Sequence, residues 1–314
     1  MAKKIDRNKV IIKQGFRDRY SDLTDFEEFM EFNIKFLRRS IRVNTLKITV
    51  KECKKRLEKL GWMLKQVPWC KEGFWVEHKT GRRDIGNTLE HALGYIYVQE
   101  SASMIPPVVL DVKKGEKVLD MCASPGSKAS QLAQYMENTG VLVANDYKGM
   151  RLAPLGINMQ RVGVMNEVLT VMHGQWFKDI EFDKILVDAP CSGTGTIRKS
   201  LKTLQIWNPE MVKKIAATQR GLIKTGFTVL KKGGTLVYST CSLEPEENEG
   251  VISWLLDEFE DASIEEIKID IKRSSCVTEF NGVTFNKEVS KCLRIWPQDN
   301  DSEGFFIAKI KKTP

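Results

Sequence analysis

The spacing of hydrophobic positions changes twice along the chain. Over residues 1–40, apolar side chains, several of them phenylalanine, recur at roughly helical spacing, which predicts a helical segment. Over residues 41–90, short apolar stretches surround one lysine-rich amphipathic helix, which predicts a small α+β domain. The elements expected in and around this domain are a strand at 40–46, a helix at 49–60, and strands near 62–67 and 73–77.

From residue 91 to 314, short apolar runs alternate with helical stretches and turns. Runs of this kind are typical of parallel strands that are buried between two layers of helices. We predict an α/β fold, a doubly wound and mostly parallel sheet, behind the smaller N-terminal domain. The expected strands are 116–122, 141–145, 166–171, 183–189 and 234–240, with a last strand at 304–310 beside a partner at 293–296.

The positive charge of the chain is concentrated near its N-terminus. The formal net charge is +8, and residues 1–110 hold 22 Lys and Arg against 14 Asp and Glu. This surplus indicates a polyanionic partner, nucleic acid ahead of membrane. Residues 244–270 carry eleven acids and one lysine, so we expect an acidic face there that points away from the polyanion.

Several protein classes are excluded by composition. No run approaches the about 18 apolar residues of a spanning helix, and the N-terminal residues lead into no secretory apolar segment. The seven cysteines are widely spaced without a C-x-x-C pair, which argues against a zinc ribbon and a disulfide framework. We expect a cytoplasmic, reducing location, free thiols, no metal and no membrane partner.

Small residues follow the first strand of the predicted parallel sheet, at 120–128, and the second strand ends in Asn145-Asp146. Ligands of such sheets bind at the carboxyl ends of the strands, where a carboxylate can accept hydrogen bonds from ribose hydroxyls. The chain has neither G-x-G-x-x-G nor a Walker A motif, so the loop offers no diphosphate cradle. This disfavours NAD and ATP and fits S-adenosylmethionine, a nucleoside without phosphate.

Two cysteines follow neighbouring strands of the predicted sheet: Cys191, three residues after Asp188, and Cys241. A single cysteine there is commonly an inert small hydrophobe. Two thiols with a carboxylate suit methylation at C5 of a pyrimidine, because a thiolate that adds to C6 makes C5 nucleophilic and a carboxyl group at N3 takes up the developing charge. These residues leave open which thiol attacks. The cations that could ionise it are Lys128, Arg198 and Lys199.

These segments resemble the Nop/Sun family of RNA cytosine-5 methyltransferases, in particular its compact archaeal tRNA-modifying members. The similarity covers about residues 40–312, and its most specific segments are DAPCSGTG at 188–195 and STCSLEPEENE at 239–249. The resemblance implies a Rossmann-like, S-adenosylmethionine-dependent catalytic domain behind an RNA-recognition-like domain. It also implies formation of 5-methylcytosine, with tRNA as the expected substrate and ribosomal RNA as the alternative.

The resemblance also implies roles for individual residues. Cys241 matches the nucleophile that attacks C6, and Cys191 the second cysteine, which assists product release and C5 deprotonation. Asp188 matches the carboxylate at the cytosine edge, and Lys128 the lysine near the target base. The expected cofactor residues are Cys122, Ala123, Ser124, Pro125, Gly126, Ser127, Lys128, Asp146, Arg151, His173 and Asp188. From the charge distribution and the expected mouth of the site, the RNA contacts are predicted at Arg42, Lys51, Lys54, Lys55, Arg198 and Lys199.

The cofactor loop departs from the family pattern at Ser127, where a glycine is usual, and at Ala129, where a hydroxyl is lost. Ser127 requires an ordinary backbone angle. The departures motivate an alternative function, an RNA-binding assembly factor that keeps the fold without turnover. We expect a monomer, and the sequence indicates no protein partner.

Overall fold

A computed structural model describes residues 11–313 of the chain, so the first ten residues of the predicted N-terminal helical segment lie outside it. The helices are α1 Gln14–Ser21, α2 Phe26–Ile34, α3 Val50–Lys59, α4 Leu89–Ala92, α5 Ile105–Leu110, α6 Ser127–Tyr135, α7 Gly149–Val162, α8 Lys202–Ile206, α9 Pro209–Thr228, α10 Glu249–Glu258 and α11 Pro297–Asn300. The strands are β1 Ser40–Val43, β2 Trp62–Gln66, β3 Gly73–His78, β4 Ile96–Val98, β5 Lys117–Asp120, β6 Val141–Asp146, β7 Glu167–Val171, β8 Phe182–Asp188, β9 Leu230–Thr240, β10 Ala262–Glu265, β11 Glu279–Phe280, β12 Val283–Thr284, β13 Leu293–Ile295 and β14 Phe305–Lys312.

The N-terminal domain is an antiparallel sheet in the order β2-β3-β1-β4. Helix α3 is held by a capping box at Thr49 and buries Cys53 and Leu57 in the same apolar cluster as the strand residues Ile41 and Val43. Strand β4 lies beyond residue 90, where the sequence pattern placed the end of this domain. A strand of three residues is too short to show alternation, which is why the pattern missed it.

The larger sheet has the order β10-β14-β9-β8-β5-β6-β7, with β13 paired to β14. Strands β5 to β9 run parallel, whereas β14 is antiparallel to both of its neighbours, β9 and β10. The doubly wound fold is therefore confirmed, and every strand predicted within it is found. The order reverses between β5 and β8, so the carboxyl ends of these two strands border the crevice where ligands of such sheets bind.

Helices cover both faces of this sheet. Leu132 and Ala133 of α6 belong to the apolar cluster on one face, and Leu222, Ile223 and Phe227 of α9 to the cluster on the other. No helix among residues 11–313 is long and apolar enough to cross a membrane.

The N-terminal helices α1 and α2 pack against the catalytic domain. The ring of Phe29 lies 5.2 Å from that of Tyr20 and 5.6 Å from that of Trp296, and Phe16 lies 5.2 Å from Trp207. The segment is therefore part of the catalytic domain's surface and covers its C-terminal half.

Arg42 lies on strand β1 of the N-terminal domain, and its side chain contacts helix α6 of the catalytic domain. It was expected to contact RNA, but its side chain is fully buried. The guanidinium donates to the backbone oxygen of Ser127 at 2.7 Å, to Ser130 Oγ at 2.9 Å and to Gln134 Oε1 at 3.2 Å, all on α6. The prediction for Arg42 is therefore wrong, because a cation inside a strand cannot be told from a surface one by charge alone.

The acidic stretch 244–270 is not the solvent-exposed face that its composition suggested. Glu244, Glu247 and Glu249 are fully buried. Glu249 makes an ion pair with buried Arg294 at 2.6 Å, and Glu244 accepts hydrogen bonds from Tyr20 and Trp207. These carboxylates stabilise the interior, and only the remainder of the stretch contributes negative charge to the surface.

Candidate active site

Cys191 and Cys241 lie together at the carboxyl ends of β8 and β9. The two strands are parallel, with Asp188 opposite Ser239, and the thiols follow three and two residues later. Their sulfur atoms are 3.2 Å apart, and both cysteines are free thiols. The register of two strands therefore brings two nucleophilic groups to one point.

Gly195 allows the loops that carry the thiols to approach each other. Its backbone N–H donates to the oxygen of Cys241 at 2.9 Å, and its own oxygen accepts from Gly304 N–H at 2.9 Å. A Cβ atom at this position would lie 2.2 Å from the Gly304 oxygen and 2.8 Å from the Cys241 oxygen. Only glycine fits there.

The surroundings of Cys191 favour its protonated form. The hydrogen bond with Cys241, followed by burial and the negative charges of Glu247 and Asp188, raises the pKa of Cys191 well above that of an ordinary thiol. Cys191 therefore keeps its proton.

Asp188 is held by a lysine and a serine. Its Oδ2 lies 2.7 Å from Lys128 Nζ, and its Oδ1 accepts a hydrogen bond from Ser239 Oγ at 2.8 Å. Burial alone would lower the pKa of Lys128, but the attraction of Asp188 outweighs it and the pKa is raised. Lys128 also donates to Ser103 Oγ at 3.1 Å. The ion pair therefore keeps Asp188 oriented beside the thiols.

One cavity of about 580 Å³ contains the thiols, Asp188 and part of the predicted cofactor set. The cofactor candidates that line it besides Asp188 are Cys122, Ser124, Asp146, Arg151 and His173. Ala123, Pro125 and Gly126 belong to the turn before α6 and Ser127 is the first residue of that helix; none of the four lines the cavity. Lys128 does not line it either, but binds Asp188, which does.

The turn itself has the backbone that the sequence predicted. Gly126 precedes the helix with φ of +101°, in the left-handed region, and α6 begins at Ser127 with helical geometry. A Cβ atom at Gly126 would lie 3.1 Å from Leu155 Cδ1. The glycine that matters sterically is thus retained, and the serine that replaces the second glycine causes no backbone strain.

Asp146 fits the ribose of a nucleoside. Its carboxylate is buried; Oδ1 accepts from Lys148 N–H at 3.1 Å, but Oδ2 has no hydrogen-bond partner among the described residues. The nearest cation to Oδ2, Arg151 Nη1, is 3.5 Å away. A buried carboxylate oxygen without a donor is costly, and a ribose hydroxyl would satisfy it.

Aromatic rings stand beside this carboxylate. The ring of His173 lies 5.9 Å from that of Tyr147, which lines the same cavity, and 4.7 Å from that of Trp176. Sequence reasoning named His173 and missed the other two. Tyr147 could have been found, because it directly follows Asp146.

Sequence reasoning also missed Ser103 and Ser239. Ser239 lies opposite Asp188 in the strand register, so a correct pairing of β8 with β9 would have indicated it. Ser103 belongs to a separate segment, and no sequence signal connects it with Lys128.

The predicted RNA contacts separate into two groups. Lys51, Lys54 and Lys55 are exposed on α3, and Lys199 is exposed near the catalytic domain's loops. Arg198 is buried; it pairs with Asp301 at 2.7 Å and donates to the backbone oxygens of Phe36 and Ser302. These interior contacts occupy both terminal nitrogens of the guanidinium, so Arg198 is not the exposed cation that the sequence predicted.

Comparisons with known proteins agree with these features. Residues 107–311 match the family described as 16S rRNA methyltransferase RsmB/F, and residues 12–101 match the N-terminal domain of 16S rRNA methyltransferase RsmF. The chain is 47% identical to a tRNA (cytosine(49)-C(5))-methyltransferase of Pyrococcus abyssi, with 96% of each chain covered. It is 43% identical to ribosomal RNA small subunit methyltransferase F of Aeromonas salmonicida, with 91% of this chain and 60% of that protein covered. A methyltransferase homolog protein from Pyrococcus horikoshii superposes with a TM-score of 0.87 at 42% identity, covering 97% of each chain.

Proposed function

Because this chain belongs to the RsmB/F family of methyltransferases, the Nop/Sun-type proteins whose motifs it shares, we propose that it forms 5-methylcytosine in RNA. The observation that carries the proposal is the pair of thiols 3.2 Å apart beside Asp188, in one cavity with Asp146. S-adenosylmethionine supplies the methyl group when bound, and Asp146, with the rings of Tyr147 and His173, would hold its nucleoside.

We propose tRNA as the substrate. The support is the tRNA (cytosine(49)-C(5))-methyltransferase of Pyrococcus abyssi, which is 47% identical to this chain. Ribosomal RNA is the second candidate, because bacterial relatives with that activity in their names are 41–46% identical. This chain spans about 60% of the length of those bacterial relatives.

In the proposed reaction, Cys241 attacks C6 of the cytosine as a thiolate. Cys191 lies 3.2 Å from the Cys241 sulfur and its pKa is raised, which suits it to donate a hydrogen bond to Cys241. When the thiolate bonds to C6, the π electrons of the C5–C6 double bond shift onto C5 and are shared with C4 and N3. This makes C5 nucleophilic.

Asp188 takes part at the cytosine edge. Its carboxylate can accept hydrogen bonds from the N4 amino group and from N3 once that nitrogen is protonated, which stabilises the charge on the ring. Lys128 and Ser239 bind one carboxylate oxygen each and fix the orientation of the group.

Release of the product requires loss of the C5 proton after C5 has been methylated. The electrons of that C–H bond then re-form the C5–C6 double bond and expel Cys241 as a thiolate. Once Cys241 is bonded to C6, Cys191 releases its own proton to solvent and then, as a thiolate, accepts the C5 proton. Protonated again, Cys191 donates a hydrogen bond to the leaving Cys241 thiolate, whose sulfur lies 3.2 Å away.

The test is methyl transfer from radiolabelled S-adenosylmethionine into separate pools of unmodified tRNA and ribosomal RNA, followed by nucleoside analysis. We expect 5-methylcytosine in tRNA. Label in ribosomal RNA alone would select the second candidate. RNA binding without any transfer would instead support a non-catalytic assembly factor, the alternative suggested by the change at Ala129.

The thiol roles have a test of their own. We expect Cys241→Ala to abolish transfer and Cys191→Ala to accumulate a covalent protein–RNA adduct, because the leaving thiolate loses its hydrogen-bond donor. Denaturing gels resolve the adduct, and Cys276→Ala, a free cysteine outside the cavity, is the matched control. An adduct that persists in Cys241→Ala would reverse the two roles.

A further inference from the structure

A second cavity, of about 380 Å³, lies where the segment after α2, strand β4 and the residues before β14 meet. Glu100 and Glu303 line its inner wall, and Arg39 and Lys199 are exposed residues that also line it. It shares no lining residue with the cavity that contains the thiols. The family resemblance assigned nothing to it, apart from the basic residues at 198 and 199.

Glu303 is the unusual member of this cavity. Its side chain is buried, with the residue 4% exposed, yet Oε1 has no hydrogen-bond partner among residues 11–313. The neighbouring carboxylate of Glu100 is fully engaged, since it accepts from Ser101 Oγ at 2.8 Å, Ala102 N–H at 2.7 Å and Ser103 N–H at 3.2 Å. Glu303 Oε1 is therefore a buried acceptor without a donor, next to a carboxylate that has several. Such an acceptor indicates that a bound ligand supplies the missing donor.

The cations at the edge are available as well. Arg39 and Lys199 form no ion pair within the described part of the chain, whereas Arg38 and Arg198 both pair with Asp301. Two unpaired cations beside a buried, unsatisfied carboxyl group match the two ends of a nucleotide, its phosphate and its base.

Short hydrogen-bonded paths connect this cavity with the catalytic thiols. Glu303 precedes Gly304, whose N–H donates to Gly195, and the N–H of Gly195 donates to the Cys241 oxygen, each at 2.9 Å. On the other side, Glu100 accepts from Ser103, and Ser103 Oγ accepts from Lys128, the partner of Asp188. These hydrogen bonds tie Glu303 and Glu100 to the groups that surround the thiols and Asp188.

We propose that this cavity is the subsite for the nucleotide next to the target cytosine, where Glu303 accepts a hydrogen bond from the exocyclic amino group of the base and Arg39 and Lys199 bind phosphate. The proposal rests on the function proposed above, which supplies the target cytosine. It assigns to this chain a local sequence preference in single-stranded or unstacked RNA.

The base should carry its amino group beside a ring nitrogen that accepts. Burial, followed by the nearby charge of Glu100, raises the pKa of Glu303 to about 8, so at neutral pH the carboxyl group offers one donor and one acceptor side by side. Adenine and cytosine complement that pair when their amino group faces the open Oε1, the acceptor of the pair. In the same orientation uracil presents a carbonyl oxygen to Oε1, so its donor and acceptor stand in the reverse order.

The test uses short labelled RNA oligonucleotides that hold one cytosine in a uridine background, with adenosine or uridine directly 5′ or 3′ of it. Binding is measured by fluorescence anisotropy for the wild type, Glu303→Met and the exposed control Glu266→Met. We expect adenosine at one of the two positions to improve wild-type and control binding about tenfold, the effect of one well-formed base contact. Glu303→Met should lose this preference and keep its affinity for the uridine background.

Thermal unfolding of the same variants separates a ligand-facing residue from a structural one. Glu303→Met removes a buried group without a partner, so its Tm should equal or exceed that of the wild type. A lowered Tm, a preference that persists in Glu303→Met, or equal binding of adenosine and uridine at both positions would overturn the subsite.

The cations are tested by salt dependence. Replacing Arg39 or Lys199 by Ala should reduce the slope of log K against log[salt] by about 0.7, the value for one phosphate of a single strand. Lys268→Ala, an exposed lysine elsewhere, should leave the slope unchanged; unchanged slopes in all three variants would overturn the phosphate contacts. If the protein showed the base preference but transferred no methyl group, only the proposed function would be contradicted. If it transferred methyl groups but showed no base preference, only the subsite would be contradicted.

Discussion

At the scale of single residues, Lys128 links the start of α6 to Asp188 at the end of β8. Its ammonium group is nearly buried and lies 2.7 Å from Asp188 Oδ2, and the raised pKa shows that Asp188 more than offsets the cost of burial. Without this cation, Asp188 would lose both its orientation and the charge that stabilises it.

We therefore expect Lys128→Met to lower kcat about 10²- to 10³-fold, the usual effect of losing one preorganised electrostatic contact. The affinity for S-adenosylmethionine should change far less, because Asp146 and its neighbours hold the nucleoside. Single-turnover kinetics and cofactor titration measure the two effects. Lys184→Met, a half-buried lysine on β8 outside the cavity, is the control, and an equal loss in both variants would refute the role of Lys128.

Single residues could be predicted where the neighbouring residues form a specific motif, and not elsewhere. Asp188, Cys191 and Cys241 stand in specific motifs, and the structure brings them together. Arg42 and Arg198 resembled surface cations because nothing near them in the chain reveals their partners on other segments. Ser103 was missed for the same reason.

At the scale of elements, strand β1 is tied to helix α6 through Arg42. The buried guanidinium supplies donors to four residues of that helix, which begins directly after the turn that contains Gly126. The orientation of the N-terminal sheet is therefore coupled to the position of the turn.

Arg42→Leu should lower the free energy of unfolding by about 3–5 kcal/mol, because it leaves several buried acceptors without donors. Urea unfolding measures the loss, with Lys51→Leu on the surface of α3 as the control. The salt slope of RNA binding should not change in Arg42→Leu below its unfolding temperature. A reduced slope would restore Arg42 as a phosphate contact.

Helix α3 presents Lys51, Lys54 and Lys55 to solvent, and Lys55 also lines a shallow cavity with Lys47 and Lys59. Such a helix suits phosphate binding without base selectivity. The N-terminal domain would then bind the RNA backbone while the cavities near β14 select the base.

Changing Lys51, Lys54 and Lys55 together to Glu should weaken RNA binding and reduce its salt slope by up to about 0.9 for each phosphate that the helix no longer binds. Filter binding across a salt series measures both. Charge reversal at Glu258 and Glu260, far along the chain in the acidic stretch, should have little effect. If both sets of changes weakened binding equally, net charge rather than α3 would be responsible.

The elements themselves followed closely from the hydrophobic pattern. The run at 183–189 became β8 at Phe182–Asp188, and the run at 234–240 became the end of β9 at Thr240. Strand β4 was missed because three residues give no periodicity. The buried glutamates of 244–270 were misjudged because a count of charges does not reveal which of them are paired inside.

At the scale of the whole molecule, buried carboxyl groups make stability depend on pH. Burial, followed by the charge of Asp188, raises the pKa of Asp120 to about 7, and Oδ2 of Asp120 has no hydrogen-bond partner among the described residues. In the unfolded chain this group ionises near its ordinary value of 3.8. Its contribution is therefore complete below about pH 4 and is lost as the pH rises through 7.

Asp120→Asn keeps the neutral form at every pH. We expect the variant to unfold less readily than the wild type at pH 8 and to show a smaller loss of stability between pH 4 and 8, with linkage setting an upper bound of about 4 kcal/mol. Urea titrations at several pH values measure this, with exposed Asp257→Asn as the control. A variant less stable than the wild type at pH 8 would contradict the assignment.

The packing of α1 and α2 on Trp296 has a consequence for synthesis of the chain. Tyr20 and Phe29 leave the ribosome well before their partner Trp296, which follows roughly 270 residues later. At about 5–20 residues per second, these rings wait for roughly 15–55 s without their final contacts. During that time, the nascent chain exposes an aromatic surface that a chaperone could cover and that, uncovered, favours aggregation.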